Sequence, residues 1–579
     1  MTGADPKAVD PRSARPETPG AETSAAAPTR STWVLPREAG YLITAFAALA
    51  PAWGLRGSPG PLYEEGFTVL HAELVLQGQT PGVDFHALYG PLGPWFMGLW
   101  FKVFGPSIGA QRVVGALLLI AIVLGVRQLL RPWGRNVATA AAVVTSITVY
   151  SAGTLVAVAW WFGLAAVLWG VLLLREVPPG LLDGEQTRGP LATSSTPVQF
   201  ARLAGAGLLF GLALGFRPDL ALAVVLAGGG ALWAARSRAA IRRAWPPMLG
   251  GFAAGLAPLA AYTLIVGPAK AWRVLVTGPV FTLRPYRSLP PPPFADLQGL
   301  SRTLSLSPKW PLPAPPLAAQ VALWFWVSVA ATLLLVAAAW AARRSVPALV
   351  PVAGLALALL PQLVQRPDLG HLALTTAVPL AALPVTITTL LVARKSSPRP
   401  DILALAPLVP LLLILVLFPA PVLGPWSRAA TGQSTRDAGV VTVGDRSLPV
   451  AASVQSPVQR TVNELAARAG PGDRLIVAPS DLTRAYDNPV ALYTLFADLA
   501  VGTYHSEMDP GFTNVAGSSL PDELAQADWV LVSPSRPNLA EPNRSAEAGD
   551  PAAQVAFQKR FCPVAETQVL SLWGVCGDG

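Results

Sequence analysis

The segment LYGPLGPWFMGLWFKVF, residues 88–104, decides how the whole chain is threaded. It is apolar enough for one more membrane crossing, and a crossing here would turn every downstream loop to the opposite side. Its glycines and prolines interrupt the regular backbone hydrogen bonding that a lipid-exposed span requires, and its tryptophans favour the headgroup level. We read it as an interfacial or re-entrant helix and thread the chain on that basis.

Working outward, 52% of the 579 residues are hydrophobic and only 13% are charged, against roughly 25% charged in an ordinary soluble protein. A soluble fold cannot bury that excess, so the chain reads as an α-helical polytopic membrane protein. A helix needs about 20 apolar residues to cross the hydrocarbon core, and by that measure there are about eleven spans. They are 40–56, 108–130, 136–151, 153–174, 201–216, 219–235, 247–266, 317–341, 345–362, 371–393 and 402–421.

The net charge of +9 is not a nucleic-acid signal, because the basic residues flank apolar runs instead of forming one patch. They mark cytoplasmic loops: Arg127, Arg131 and Arg135; Arg175, Arg188 and Arg202; Arg236, Arg238, Arg242 and Arg243; Arg343 and Arg344; Arg394, Lys395 and Arg399. With 88–104 kept out of the count, these loops alternate correctly.

Residues 1–39, rich in Pro, Ala, Ser, Thr and charge, read as a disordered cytoplasmic tail, and 40–424 as the transmembrane domain. The external side then receives the loop 57–107, the turn Phe216–Asp219, the Pro-rich loop 267–316, the turn Gln365–His371 and everything after 422. From 425 to 579 the pattern changes to helix, turn and β-branched run in repetition, as in VQRTVNELAARAG, RLIVAPS and WVLVSPS. That predicts a small extracytoplasmic α/β domain. Its two cysteines, Cys562 and Cys576, lack CxxC spacing and further ligands for zinc. Outside the cytoplasm a disulfide is the natural reading.

The unusual charges of the membrane region all fall on the external face. Glu64 and Glu65 open the first external loop, where desolvation and mutual repulsion would raise one carboxyl toward working pH. A pair of solvated loop glutamates is the plain alternative. Arg-Pro-Asp occurs at two external helix junctions, as Arg217 to Asp219 and Arg366 to Asp368, with Pro and Asp suited to a helix start. Arg284 and Arg287 lie in the Pro-rich loop, and His86 and His371 are the histidines nearest this face. Each cation suits an anion, but each arginine also suits headgroups. No Walker A sequence, GxGxxG turn or HExxH is present, which excludes cytosolic nucleotide chemistry.

The loop YEEGFTVLHAELVLQGQTPGVDFHALYGPLGPWFMGLWFKVFG, residues 63–105, resembles the first loop of the GT-C superfamily of polyprenyl-phosphate-sugar glycosyltransferases. That clan includes protein O-mannosyltransferases and aminoarabinose transferases of lipid A. The matching places are Glu64, Glu65 and Gly66, then Gly78, then Val83, Asp84 and Phe85, then Pro91 and Pro94, then Phe104 and Gly105. Two departures stand out: Glu64 where the family usually has Asp, and Tyr89, Gly90 and Pro91 in place of a Lys-Pro-Pro-like element.

The resemblance implies transfer of a sugar from a polyprenyl-phosphate donor to an extracytoplasmic glycan, lipid or protein acceptor, at the plasma (inner) membrane of a bacterium. Glu64 or Glu65 would be the base, since attack by a hydroxyl needs a group to take its proton. Asp84, His86, Asp219, Asp368 and His371 would position loop or substrate, and Arg217, Arg284, Arg287 and Arg366 would hold the lipid phosphate. No ligand set for a metal is legible, and a divalent cation stays open because some members use one. A transporter or flippase of a lipid-linked substrate, or a non-catalytic cell-envelope assembly protein, are the competing classes. A transporter would place ionisable residues near the midplane of its spans, and these spans are nearly free of charge.

Overall fold

The computed structural model describes residues 35–175, 196–234, 238–306, 313–392, 405–406, 408–419, 421–485, 488–534 and 541–577. The expected tail up to residue 34 and the basic positions Arg188, Arg236, Arg394, Lys395 and Arg399 lie outside them.

Helix α1 (Arg37–Leu55) shows why the chain belongs in lipid. At helical spacing, Ala47, Ala48, Ala52 and Leu55 are buried, while Leu42, Phe46, Leu49 and Trp53 on the opposite face are exposed. A helix apolar on both faces has no stable place against water. Among the described residues, five helices are long and apolar enough to cross a membrane: Ile108–Trp133, Pro197–Phe216, Ala244–Val266, Leu317–Ala341 and Leu369–Leu391. The chain is a multi-pass membrane protein.

The count of about eleven full spans is not confirmed. Ala159–Arg175, Pro218–Ala234, Leu349–Gln365 and Leu408–Leu417 are apolar but shorter. The expected span 153–174 starts late, at Ala159, because the residues after Gly153 run without helical structure. The expected span 219–235 opens on a 3-10 turn (Pro218–Leu220), after Arg217 is held extended before the proline, and is then loosened by a π-turn at Val224–Gly228. The described part of 402–421 holds only the ten-residue helix Leu408–Leu417.

The first external loop contains α2 (Glu64–Leu76) and α3 (Leu92–Phe104), 13 residues each. At 1.5 Å per residue α3 is about 20 Å long, short of the roughly 30 Å hydrocarbon core. Its Phe96, Leu99, Val103 and Phe104 point outward from the protein, as an interfacial helix requires. Helix α4 (Ile108–Leu130) follows, starting at an N-cap in which Ser107 Oγ accepts the Ala110 N–H at 3.0 Å. Helix α5 (Arg135–Val149) packs on α1 and α4, and α6 is Ala159–Arg175.

The C-terminal region holds an antiparallel hairpin, β1 (Ala438–Val443) with β2 (Arg446–Ala451), covered by the helix Ala452–Arg468. Beyond it lies a mixed five-stranded sheet in the order β4-β3-β5-β7-β6. Its strands are β3 (Arg474–Pro479), β4 (Ala500–Val501), β5 (Trp529–Ser533), β6 (Phe561–Glu566) and β7 (Ser571–Val575). The buried run Leu475 to Ala478 is the β3 center, apolar on both faces as a strand with parallel neighbours must be. Cys562 and Cys576 are disulfide-bonded across the antiparallel β6–β7 pair.

This domain does not stand apart. One apolar core mixes Phe67, Leu70, Phe85 and Met97 of the first loop with Val477, Leu492, Leu531 and Leu572 of the sheet region. Backbone bonds stitch the same seam: Ala491 N–H donates to Leu62 O at 2.8 Å and His86 N–H to Tyr504 O at 2.7 Å. The seam is where the polar residues converge.

Candidate active site between the first loop and the C-terminal domain

The adjacent glutamates have different surroundings. Glu65 is 1% exposed, and its two oxygens accept from Arg112 Nε and Nη2, both at 2.7 Å, while Gln111 Nε2 donates at 3.2 Å. Arg112 also donates to the Arg56 carbonyl at 2.9 Å. Burial pushes the Glu65 carboxyl up and Arg112 pulls it back. This forked pair ties α2 to α4 and the end of α1, with both oxygens committed. Glu64, the first residue of α2, is only partly buried. Its charge acts on Glu507, which the C-terminal domain brings to the same place.

Around them sits a buried polar cluster. Glu507 Oε1 accepts the Leu88 N–H at 3.2 Å. Asp509 Oδ1 accepts from Tyr63 Oη at 3.3 Å and from Arg287 Nη2, and Arg287 Nη2 also reaches Tyr63 Oη at 3.2 Å. His86 Nε2 lies 3.5 Å from Asp509 Oδ2, with its ring against Phe512. Burial, reinforced by Asp509, pushes the Glu507 carboxyl well up. Burial would raise Asp509 too, but the Arg287 guanidinium and His86 outweigh it and hold it down. His71 and His505 flank the cluster, each held down to about 3 mainly by burial, so both are neutral at ordinary pH. His86, Glu507 and Asp509 each offer one ligand atom, all within 4.8 Å of one another.

At the rim, the Arg217 guanidinium lies 4.8 Å from the Tyr89 ring center and 4.6 Å from that of Trp160. Asp219 holds it from behind by bonds of 2.9 and 2.8 Å, and Gln362 donates in turn to Asp219. The charges of Arg217, Glu507, Arg287 and Asp509 all act on the hydroxyl of the half-buried Tyr89, so rim and cluster share one electrostatic neighbourhood.

The second Arg-Pro-Asp junction does something else. Arg366 pairs with Asp368 at 2.6 Å and with Glu541, and donates to the Arg287 carbonyl at 2.7 Å. Asp368 caps the helix Leu369–Ala381, accepting His371 N–H at 2.8 Å and facing His371 Nδ1 at 2.9 Å. This group anchors the loop that carries Arg287. Arg284 is exposed on that loop, and Asp84, also exposed, accepts the Thr80 N–H at 2.7 Å within its own turn.

The structure thus gathers Arg217 and Arg287, with Glu507 and Asp509, about Tyr89, sets His86 against Asp509 and brings the charge of Glu64 to bear on Glu507. It leaves Arg284 and Asp84 at the surface and makes Glu65 an internal tie. The sequence reading did not single out Tyr63, Arg112, Glu507, Asp509 or Glu541. A signal existed: one of only four histidines in the chain falls with two acids in the run from Tyr504 to Gly511.

No family model matches the chain, and no curated protein matches it. Among solved structures it is similar to ArnT from Cupriavidus metallidurans bound to undecaprenyl phosphate, at 13% identity and TM-score 0.49, covering 93% of this chain and 98% of that one. It is also similar to the archaeal oligosaccharyltransferase AglB from Archaeoglobus fulgidus, in complex with an inhibitory peptide and a dolichol-phosphate. There the identity is 12% and the TM-score 0.41, covering 93% of this chain and 74% of that one.

Proposed function

We propose that this chain is a membrane glycosyltransferase that moves one sugar from a polyprenyl-phosphate donor to an extracytoplasmic glycan, lipid or protein acceptor. The observation that carries the reading is Arg217, fixed between Tyr89 and Trp160 by Asp219 at a junction of apolar helices. A cation held there, with aromatic surfaces beside it, suits a phosphate on a lipid tail. Positioning it in advance removes the ordering cost during reaction.

In this scheme an acceptor hydroxyl attacks the anomeric carbon as the bond from that carbon to the phosphate oxygen breaks. Glu64 takes the hydroxyl proton, and Arg217 takes the negative charge of the departing polyprenyl phosphate, with inversion at the sugar. Glu65 is a poor base because both of its oxygens already serve Arg112. Arg366, Asp368 and His371 act by positioning the loop of Arg284 and Arg287. Arg284, exposed on that loop, is placed to meet donor phosphate or headgroups.

The transporter reading is weaker. The buried arginines of α4, Arg112 and Arg127, lie near its two ends, whereas a transport pathway places charge near the midplane. Orientation with the C-terminal domain outside belongs to the same proposal and rests on the basic loops.

The test is transfer of labelled sugar from polyprenyl-phosphate donors by purified chain in lipid, comparing wild type with Glu64→Gln and Arg217→Ala. Transfer by wild type that both variants lose, while still folding, supports the assignment. Absence of transfer from every donor tried would move the protein to the non-catalytic or transporter class.

A further inference from the structure

We infer that His86, Glu507 and Asp509 form a binding site for one divalent transition cation of the Mn²⁺ or Zn²⁺ kind, joining the first external loop to the C-terminal domain. The inference does not depend on which reaction the protein performs.

Three independent observations meet at this point. First, the residues are deeply buried, at 7%, 1% and 0% exposure respectively. Second, His86 Nε2, Glu507 Oε2 and Asp509 Oδ2 are buried without a formed hydrogen bond, His86 Nε2 and Asp509 Oδ2 meeting only in a long contact of 3.5 Å. Buried polar atoms are nearly always satisfied, so three under-satisfied atoms from three residues that converge point to a partner common to all. Third, among the described residues these three form the set whose ligand atoms all lie within 4.8 Å of one another. The His86–Asp509 separation of 3.5 Å is close to the roughly 3 to 3.5 Å expected between ligands that share a metal at about 2.1 Å.

Charge gives the same answer. Two carboxylates, Glu507 and Asp509, face one guanidinium, Arg287, and Arg287 binds the other Asp509 oxygen. Glu507 Oε1 is used by the Leu88 N–H. With both carboxylates ionised, the site carries one negative charge more than Arg287 compensates, and in a desolvated place such a charge is costly unless paired. A divalent cation supplies the pairing and takes the three open atoms. One imidazole with two carboxylates suits Mn²⁺ or Zn²⁺ better than Mg²⁺ or Ca²⁺, which take mostly oxygen ligands. Water would complete the coordination.

The ligands come from places far apart in sequence, so the ion would fasten the seam between loop and domain. It would also lie near Tyr89, on which the charges of Glu507 and Asp509 act in the opposite sense to that of Arg217.

The test uses full-length chain without a histidine tag, purified in detergent, stripped with chelator and titrated with Mn²⁺ while free Mn²⁺ is followed by electron paramagnetic resonance. Zn²⁺ uptake is counted by elemental analysis. The expected result is about one ion per chain, modulation from an imidazole nitrogen in the pulsed spectrum of the Mn²⁺-loaded wild type, and affinity lower by on the order of tenfold or more in His86→Gln and Glu507→Gln. If a variant fails to fold, the nitrogen signal of the wild type decides alone. The inference is overturned if stripped, folded wild type takes up neither ion, if bound Mn²⁺ shows no nitrogen modulation, or if folded His86→Gln binds as tightly as wild type. Failure of ion uptake with sugar transfer intact would remove the metal site and leave the proposed function standing.

Discussion

Two neighbouring glutamates of one helix take different surroundings because successive helical positions point about 100° apart, so Glu65 turns into the α2–α4 contact and Glu64 stays only partly buried, on the side of Glu507. Replacing Glu65 with Gln leaves the Arg112 guanidinium buried without its counterion. Breaking a buried pair from one side costs about 3–5 kcal/mol, so this variant should lose folded yield and melt well below wild type. Glu64→Gln should keep the wild-type melting temperature and lose about 10²- to 10⁴-fold in transfer, the usual contribution of a general base. Equal melting of the two variants would refute the split. Asp368 offers a pH test. Its carboxyl is held well below the ordinary range: burial alone would raise it, and His371 and Arg366 more than reverse that. A carboxyl depressed in the folded state contributes stability above its unfolded value near 4, and loses it as pH falls toward the folded one. Asp368→Asn should therefore melt lower than wild type at neutral pH, with the gap closing below about pH 4. A gap that widens in acid would contradict the assignment. The sequence placed both carboxylates in the right loop, but which one faces inward depends on Arg112, nearly fifty residues away.

Between elements, the helices Thr196–Phe216 and Arg238–Val266 make the most extensive contact in the membrane region, and glycine permits it. An added Cβ would lie 1.9 Å from Met248 O at Gly207 and 2.4 Å from Phe252 O at Gly211. On the facing helix it would lie 1.9 Å from Ala204 O at Gly251 and 2.3 Å from Leu208 O at Gly255. Each helix thus presents a Gly-xxx-Gly face to the other, which lets the backbones touch where lipid gives no hydrophobic drive. Gly211→Leu should force the pair apart, lowering the melting temperature in detergent by an amount equivalent to about 1–3 kcal/mol or more. Leucine at Gly250, where an added Cβ meets nothing within 4 Å, should be tolerated. Equal effects at both positions would sink the argument. Hydropathy found these helices with the correct C-terminal limits, at 216 and 266, but placed their starts at 201 and 247 where the helices begin at Thr196 and Arg238, because composition is local and the polar first turns fall below the apolar signal. The count of full spans stays unconfirmed where Gly153, Pro218 and the π-turn after Ala223 interrupt the helix, since an apolar run carries no record of where its backbone bonds shift.

At the scale of the whole molecule, the threading and the site depend on the same fact, that α2, α3 and the sheet domain share one core. Phe67 and Met97 share one apolar core with Val477 and Leu492, the arrangement expected if both ends of α3 stay on the domain's side. An α3 that crossed the bilayer would carry Ser107 to the opposite face and pull α4 away from Glu65. The sequence exposed this choice in residues 88–104 but could not show the domain that enforces it, because the partners lie some 400 residues downstream in a stretch read only as a generic α/β pattern. The same separation hid Glu507 and Asp509. The prediction follows from geometry and can be read by labelling. The native cysteines are joined to each other, so a single added cysteine reports alone under non-reducing conditions. In intact cells a membrane-impermeant maleimide should label both Val83→Cys and Ser107→Cys, which flank α3. Ser345→Cys, beside Arg343 and Arg344, should label only after permeabilisation, since basic loops remain in the cytoplasm. Labelling of Val83→Cys and Ser107→Cys from opposite sides would make α3 a true span, and would separate Glu64 from the carboxylates that the seam brings to it.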